Sequence, residues 1–333
     1  MVGRASSLIL LGILILIAGC RSNGDDLVIY SGRSSALVDP LIERFQEQTG
    51  LRVGVRYGDT AQLAVALIEE GEQSSADLFW AQDGGALGAL EREGLFAPLP
   101  ESLLELVIRQ YRGEAGTWIA TSGRARTLVY ARDRIDTTQL PRSIFELAQP
   151  EYRDRVGWAP TNGSFQAHVT ALRHLVGDDS TRAWLEAMRD NGAKSYPRNS
   201  AIVQAVADGE IDFGLPNHYY LLRFKADDPN FPVEQTFFAP GDAGNLINVA
   251  GVGILQSSEH KDAAVRFVQF LLSEESQQYF GNDTKEYPVI AGVETDAGRR
   301  AADRIEQLQP RVEFSELGDL EATLQLMREA GIL

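Results

Sequence analysis

Apolar residues follow two alternating periods along the first part of the chain. Short apolar runs of strand length occur at residues 26–32, 51–58 and 76–81. Between them, apolar residues recur at helical spacing, in segments that end at Gly50 and Gly71. The order strand–helix–strand–helix–strand predicts parallel βαβ units. Ligands bind such sheets at the carboxyl ends of the strands, which here carry polar or small residues.

A second alternation of the same kind follows a long predicted β segment at residues 118–132. Strands are predicted at 155–160, 211–217 and 249–255, and helices over 199–210 and 260–280. A polar stretch beginning at residue 161 leads into a further helix. The pattern predicts an α/β fold of two lobes, with a ligand site between them. The chain is expected to cross between the lobes near residues 120–126 and 245–252.

The N-terminus has the features of an export signal. Residues 8–17 form an apolar run that is shorter than the roughly 20 residues a membrane helix needs. The run leads to Gly19-Cys20, which resembles a bacterial lipoprotein signal and contains the only cysteine of the chain. We predict a signal peptide at 1–19, lipid on Cys20 and a polar tether at 20–25. An ordinary signal peptide or an anchor helix is the alternative, and it also exports the chain.

Composition narrows the class of function. Hydrophobic residues make up 44% of the 333 residues, which is typical of a globular protein. The formal net charge of −16 argues against nucleic acid, because phosphates require lysine and arginine. The sequence contains no GxSxG or HExxH motif, and its single cysteine lies in the predicted lipid site, so an exported enzyme is disfavoured.

Two adjacent tyrosines, Tyr219 and Tyr220, stand in the stretch GLPNHYYLLRF. Packing explains most tyrosines at half-buried positions. Two phenolates at one place are, however, hard oxygen ligands for a highly charged metal ion, which removes the phenol protons. Side chains of neighbouring strand residues point to opposite faces. Both phenols are therefore expected to reach one ion where the strand ends, near Pro216 and Asn217.

Several fragments together resemble the periplasmic ferric-ion-binding proteins of ABC importers, bacterial analogues of a transferrin lobe. They are VIYSGR, QLAVALIEEGEQSSADLFWAQD, EREGLFAPLP, TSGRAR, RNSAIVQAVADGEI, NHYY and KEYPVIAGV. The resemblance implies a two-lobed type II periplasmic-binding-protein fold with a hinge and a cleft that closes on Fe(III). It places the first lobe at 26–123 plus about 250–300, and the second at 124–249 plus about 301–333. It also implies a monomer, held at the membrane only by lipid in the periplasm or at the cell surface, that serves an ABC permease and ATPase.

The resemblance also implies a site. The tyrosine dyad of the family falls on Tyr219 and Tyr220. A synergistic anion, carbonate or phosphate, is expected at Asn162, Gly163, Ser164, Asn199, Asn217, Arg33 and Arg124. Helix capping is the alternative role for Asn199 and Ser164, and a surface salt bridge is the alternative for each arginine.

Three positions depart from the family pattern. Ser34 and Gln82 stand where some members place a histidine and a glutamate in the first-lobe cleft, and Phe165 stands where others place a third tyrosine. The first lobe thus offers no obvious anionic ligand. This departure keeps a second hypothesis open, in which the same fold binds an oxyanion such as a phosphonate.

Overall fold

The computed structural model describes residues 25–295, 307–312 and 314–333 of the chain. The predicted signal peptide at 1–19, Cys20 and the tether up to residue 24 lie outside the described residues. Within the described ranges, no helix combines the length and the apolar character that crossing a membrane requires.

The described chain contains ten strands and eleven α-helices. The strands are β1 (Leu27–Ser31), β2 (Val53–Tyr57), β3 (Leu78–Ala81), β4 (Trp118–Ala125), β5 (Leu128–Ala131), β6 (Val156–Trp158), β7 (Lys194–Ser195), β8 (Phe213–Gly214), β9 (Val233–Thr236) and β10 (Ile247–Ile254). The helices are α1 (Ser35–Thr49), α2 (Thr60–Glu70), α3 (Gly84–Arg92), α4 (Glu101–Leu104), α5 (Gly163–Val176), α6 (Asp178–Asp190), α7 (Asn199–Ala207), α8 (His218–Asp227), α9 (Lys261–Leu271), α10 (Glu274–Asn282) and α11 (Leu320–Glu329).

The first sheet has the strand order β2-β1-β3-β10-β4. Strands β1, β2 and β3 are parallel, as the predicted βαβ units require, while β10 runs antiparallel to both β3 and β4. Because these three strands are parallel, the carboxyl ends of β1 and β3 lie at the same edge of the sheet. Gly50 ends α1 in the left-handed conformation at φ 71°, which glycine adopts without a Cβ penalty.

The second sheet has the order β7-β6-β8-β5-β9. Strands β6, β7 and β8 are parallel, and β5 is antiparallel to β8 and β9. Helix α7 lies close on this sheet because Gly214 has no side chain. A Cβ there would come within 2.2 Å of Ile202 Cγ2.

Two crossings join the sheets. The chain leaves the first sheet at Ala125 and enters the second at Leu128, then returns between Thr236 and Ile247. Each sheet has its own apolar core, and α11 packs on the second core. Phe314 belongs to the first core, so the C-terminal region touches both lobes rather than the second alone.

Three sequence predictions differ from the structure. The single helix expected at 260–280 is two helices, because the first ends at Leu271 and Ser273 caps the second by accepting a hydrogen bond from Ser276 N at 3.3 Å. The long β segment at 118–132 is two strands of different sheets. The strand expected at 211–217 is only two residues long, and the chain enters α8 directly after Asn217.

Candidate metal and anion site

The tyrosine dyad lies on the first turn of α8, not on the end of a strand. Asn217 is the N-cap, in extended conformation at φ −78° and ψ 149°, and the helix begins at His218. Neighbouring helical residues are about 100° apart around the axis, so two phenols can face one point without a strand end. The ring centroids of Tyr219 and Tyr220 are 4.4 Å apart, at an interplanar angle of 32°.

The Tyr220 phenol is held neutral by its surroundings. Burial, followed by the neighbouring Tyr219, raises the pKa of Tyr220 to about 12, while a hydrogen bond with Asn199 and the charge of Arg223 act in the opposite direction. The Arg223 guanidinium stands over both rings, at 4.8 Å from the centroid of Tyr219 and 5.9 Å from that of Tyr220. A strong nearby cation is therefore required before Tyr220 can act as a phenolate at neutral pH.

Arg126 lies beside the dyad, and the sequence reasoning did not single it out. Its guanidinium is buried and donates to Leu215 O at 2.8 Å and to Ser164 Oγ at 3.1 Å. Burial lowers the pKa of Arg126 to about 10, and the two phenols oppose this shift. Among the described residues it forms no ion pair, and its Nε has no hydrogen-bond partner. Arg126 lies directly after β4, which ends at Ala125, and its partners are distant in sequence.

A polar cluster from two helix starts surrounds Arg126. Asn162 caps α5 by accepting a hydrogen bond from Ser164 N at 3.1 Å, and it also accepts one from Ser164 Oγ at 2.6 Å. Asn199 donates to Asn162 Oδ1 at 3.2 Å and accepts from Arg126 Nη1 at 3.4 Å. A Cβ on Gly163 would meet no atom within 4 Å. The structure thus brings Asn162, Gly163, Ser164 and Asn199 to one place.

Arg124, near the end of β4, contacts the first lobe, to which β4 belongs. Its Nη2 donates to the backbone oxygen of Gln82, directly after β3, and its buried Nε has no partner. Burial raises the pKa of the adjacent Asp83, and Arg124 partly offsets this. The Asp83 carboxylate caps α3 by accepting from Ala86 N at 3.0 Å. Arg124 therefore contacts the first lobe and Arg126 contacts the second, although the two residues are only two positions apart at the hinge.

The remaining first-lobe candidates lie apart from this cluster. Ser34 is exposed at the N-cap of α1, where its side chain makes no capping bond. Gln82 is half-buried, and its Oε1 has no partner. Arg33 is bonded elsewhere through both terminal nitrogens: its Nη2 pairs with Glu286 at 2.8 Å and its Nη1 donates to Ser122 Oγ at 2.9 Å, while its buried Nε has no hydrogen-bond partner among the described residues. This buried pair replaces the surface salt bridge that was the alternative.

A small cavity of about 10 Å³ lies at the floor of the cluster and has room for about one water. It is lined by Arg124, Arg126, Ser164, His168, Asn217, Leu246 and Asn248. A larger cavity of about 550 Å³ contains none of the candidate residues and lies between the 101–116 segment and the C-terminal region. Within the described ranges, no three His, Cys, Asp or Glu side chains group together as metal ligands. The dyad and the hinge arginines are therefore the strongest candidate site.

A model of the family described as "Bacterial extracellular solute-binding protein" matches residues 73–307. The "Fe(3+)-binding periplasmic protein" of Serratia marcescens is 32% identical over 319 residues, covering 95% of this chain and 93% of the relative. The chain belongs to the periplasmic ferric-ion-binding proteins within this family. Membership confirms the resemblance inferred from the sequence fragments.

Solved structures of ferric-ion-binding proteins extend the match to the whole fold. Iron-bound HitA from Pseudomonas aeruginosa is 32% identical and has a TM-score of 0.80, with 92% of this chain and 99% of HitA covered. The Trichodesmium protein IdiA (FutA), solved in complex with iron and citrate ligands, is 26% identical with a TM-score of 0.78, over 92% and 99% of the two chains. The two-lobed α/β prediction is confirmed. The names of these relatives describe periplasmic iron-binding proteins and not enzymes, which confirms the prediction that the chain is not an enzyme.

Proposed function

We propose that this protein captures Fe(III) together with an oxyanion and delivers it to an ABC import permease and its ATPase. The observation that carries the proposal is the pair of adjacent phenols, 4.4 Å apart between ring centroids, beside two buried hinge arginines that form no salt bridge among the described residues. The names of the relatives, which are iron-binding periplasmic proteins, point to the same cargo.

The dyad supplies the metal ligands. Fe(III) is a hard cation, and hard oxygen donors such as phenolate suit it. Binding requires the ligands to be deprotonated, so the ion replaces the proton that Tyr220 holds. Asn217 donates to Tyr219 Oη at 3.5 Å and helps to orient that phenol.

Charge balance supports a bound oxyanion. Two phenolates leave one positive charge of Fe(III) uncompensated, and the buried Arg126, which forms no ion pair among the described residues, adds another. Buried charges are stable only when paired. A carbonate or phosphate held by Arg126, Ser164 and Asn217 would supply negative charge and further oxygen ligands. Because Ser34 and Gln82 are uncharged, Fe(III) binding at this site depends on the anion more than it would at a site with first-lobe carboxylates.

We also infer that the protein is held at the membrane surface by lipid on Cys20 as a monomer. The support is the Gly19-Cys20 sequence after a short apolar run. Lipoproteins of this kind carry several acyl chains, and more than one chain is needed for stable anchoring. Such tethering keeps the binding protein near its permease.

Iron titration tests the dyad. Tyr219→Phe and Tyr220→Phe keep the rings and remove one hydroxyl each, so packing is preserved. Each should weaken ferric binding by more than about 100-fold, the upper range for loss of an outer partner of a metal ligand. The visible phenolate–iron charge-transfer band should weaken or disappear. Tyr152→Phe is the matched control, because its hydroxyl donates to Gln139 O, at 3.3 Å, in the second lobe and away from the dyad.

Unchanged affinity and colour in both dyad variants would reject the proposal. Isothermal titration with phosphate and carbonate in the absence of iron then decides the alternative. A wild-type protein that binds an oxyanion tightly, stays colourless with ferric salt and loses anion binding on Arg126→Gln would be an oxyanion-binding protein of the same fold.

A further inference from the structure

His218, the first residue of the dyad helix, is bonded on both sides of its ring. The side chain is fully buried. Its Nδ1 accepts a hydrogen bond from Ala125 N at 3.1 Å, at the end of hinge strand β4. Because Nδ1 is an acceptor, the proton resides on Nε2, which donates to Lys285 O at 2.8 Å. The neutral tautomer is thereby fixed, and neither bond can be made by the other nitrogen.

The segment Lys285–Tyr287 that receives this bond belongs to the first lobe. Glu286 pairs with Arg33 at 2.8 Å, and Tyr287 lies in the first-lobe core. Tyr287 also forms both backbone hydrogen bonds with Gly123 of β4, each at 2.8 Å. Lys285 holds a left-handed backbone at φ 61°, a conformation that is unfavourable for a non-glycine residue. The surrounding contacts keep its carbonyl directed at His218.

A continuous series of rings joins this segment to the metal-binding phenols. Tyr287 stacks on His218, with centroids 3.9 Å apart and an interplanar angle of 11°. His218 meets Tyr219 edge to face, at 5.6 Å and 85°. Tyr219 then contacts Tyr220 at 4.4 Å. Because packed rings move together, a shift of the 285–287 segment must also displace the ring of Tyr219.

We propose that His218 is a positioning residue that couples the orientation of the tyrosine dyad to the first lobe. The inference rests on the proposed iron-binding function and assigns a role within it. Through Nε2 and the Tyr287 stack, His218 fixes the start of α8 against a segment that moves with the first lobe. Cleft closure and phenol orientation then change together, although the dyad itself lies on a second-lobe helix.

Two substitutions separate the two bonds of His218. The amide of glutamine reaches the place of Nε2, so His218→Gln keeps a donor for Lys285 O. The shorter asparagine reaches the place of Nδ1, so His218→Asn keeps only an acceptor for Ala125 N. Both remove the aromatic stack. The exposed His174 on α5 provides the control, as His174→Gln.

Ferric affinity is measured by competition with citrate in carbonate buffer, and the position of the visible band is recorded. His218→Asn should weaken binding by up to about tenfold, the effect of one net hydrogen bond, and should shift the band. His218→Gln should bind more tightly than His218→Asn and keep a band nearer to wild type. His174→Gln should match wild type in both readouts.

Three outcomes would overturn the inference. Equal affinity and equal bands in wild type, Asn and Gln variants would show that His218 does not position the phenols. A higher ferric affinity of His218→Asn than of His218→Gln would show that His218 acts only through its hydrogen bond with Ala125 N of β4. A colourless wild type would reject the proposed function itself, which separates that failure from a failure seen only in the variants.

A second pair covers the case in which the His218 variants do not fold. Tyr287→Leu removes the stacked ring from the first lobe. Tyr279→Leu removes a comparable ring from the same core, and its hydroxyl bonds Leu37 O rather than any site residue. Only Tyr287→Leu should shift the visible band, while both should lower the melting temperature. Identical bands in the two variants would refute the coupling.

Discussion

Iron binding should release the proton of Tyr220, and the release can be counted. At pH 7 the Tyr220 phenol, with its pKa raised to about 12, is protonated in the iron-free protein. Deprotonation of this phenol is therefore unfavourable at neutral pH, and the ferric ion must supply the free energy for it. Each proton released makes affinity rise tenfold per pH unit. Between pH 6 and pH 8, Tyr220 alone should therefore raise ferric affinity about 100-fold.

The matched perturbation is Tyr220→Phe, which keeps the ring and removes this proton. The logarithm of its ferric affinity should rise with pH less steeply than that of wild type, and the two slopes should differ by one unit per pH unit. Competition with citrate, corrected for the ferric affinity of citrate at each pH, gives the two slopes. Calorimetry in two buffers of different protonation enthalpy counts the protons directly. Tyr152→Phe should retain the wild-type slope.

Equal slopes in wild type and Tyr220→Phe would contradict the reasoning. Such a result would mean that Tyr220 is already ionised before iron arrives, or that it stays a neutral phenol in the complex. A second measurement separates these cases, since ionised phenolate absorbs in the near ultraviolet in the absence of iron. Either case would remove Tyr220 as a proton-linked ligand.

Four further predictions follow from other residues. Arg126→Lys keeps a charge but loses the planar fork, so ferric affinity in carbonate buffer should fall by more than about tenfold; unchanged affinity would argue against an anion at Arg126. Burial lowers the pKa of His168 to about 3, so folding stability should decline as pH falls below 6.5, by about 3 kcal/mol at pH 4. In acid denaturation His168→Gln should lack this loss and His174→Gln should retain it. Cys20→Ala should move the protein from the membrane fraction to the soluble fraction, and an unchanged distribution would exclude the lipid. X-ray scattering should show compaction when iron is added with carbonate, whereas identical profiles would indicate a rigid cleft.

Local patterns were enough to predict the elements of the first sheet. Strands β1, β2 and β3 have short apolar runs bounded by glycine or polar residues, and Gly50 marks the end of α1 by its conformational freedom. These signals lie within a few residues of the features that they predict. The order of strands in space, with β10 between β3 and β4, is not encoded locally and came only from the structure.

The site shows where local reasoning fails. The sequence predicts the end of a strand at Pro216-Asn217, but asparagine after a turn is also an N-cap, and here Asn217 caps α8. Arg126 was overlooked because its partners, Ser164, Asn199 and Leu215, are 38 to 89 residues away. No sequence spacing reports a contact of that kind.

The position of β10 has a consequence for the order in which the lobes form during synthesis. The first sheet needs β10, which ends at Ile254, between its third and last strands. Every strand of the second sheet lies between Leu128 and Thr236. The N-terminal third of the chain therefore emerges from the ribosome without the strand that completes its sheet. Its long-range pairing waits for late-synthesised residues, so the second sheet can assemble first and the N-terminal lobe last.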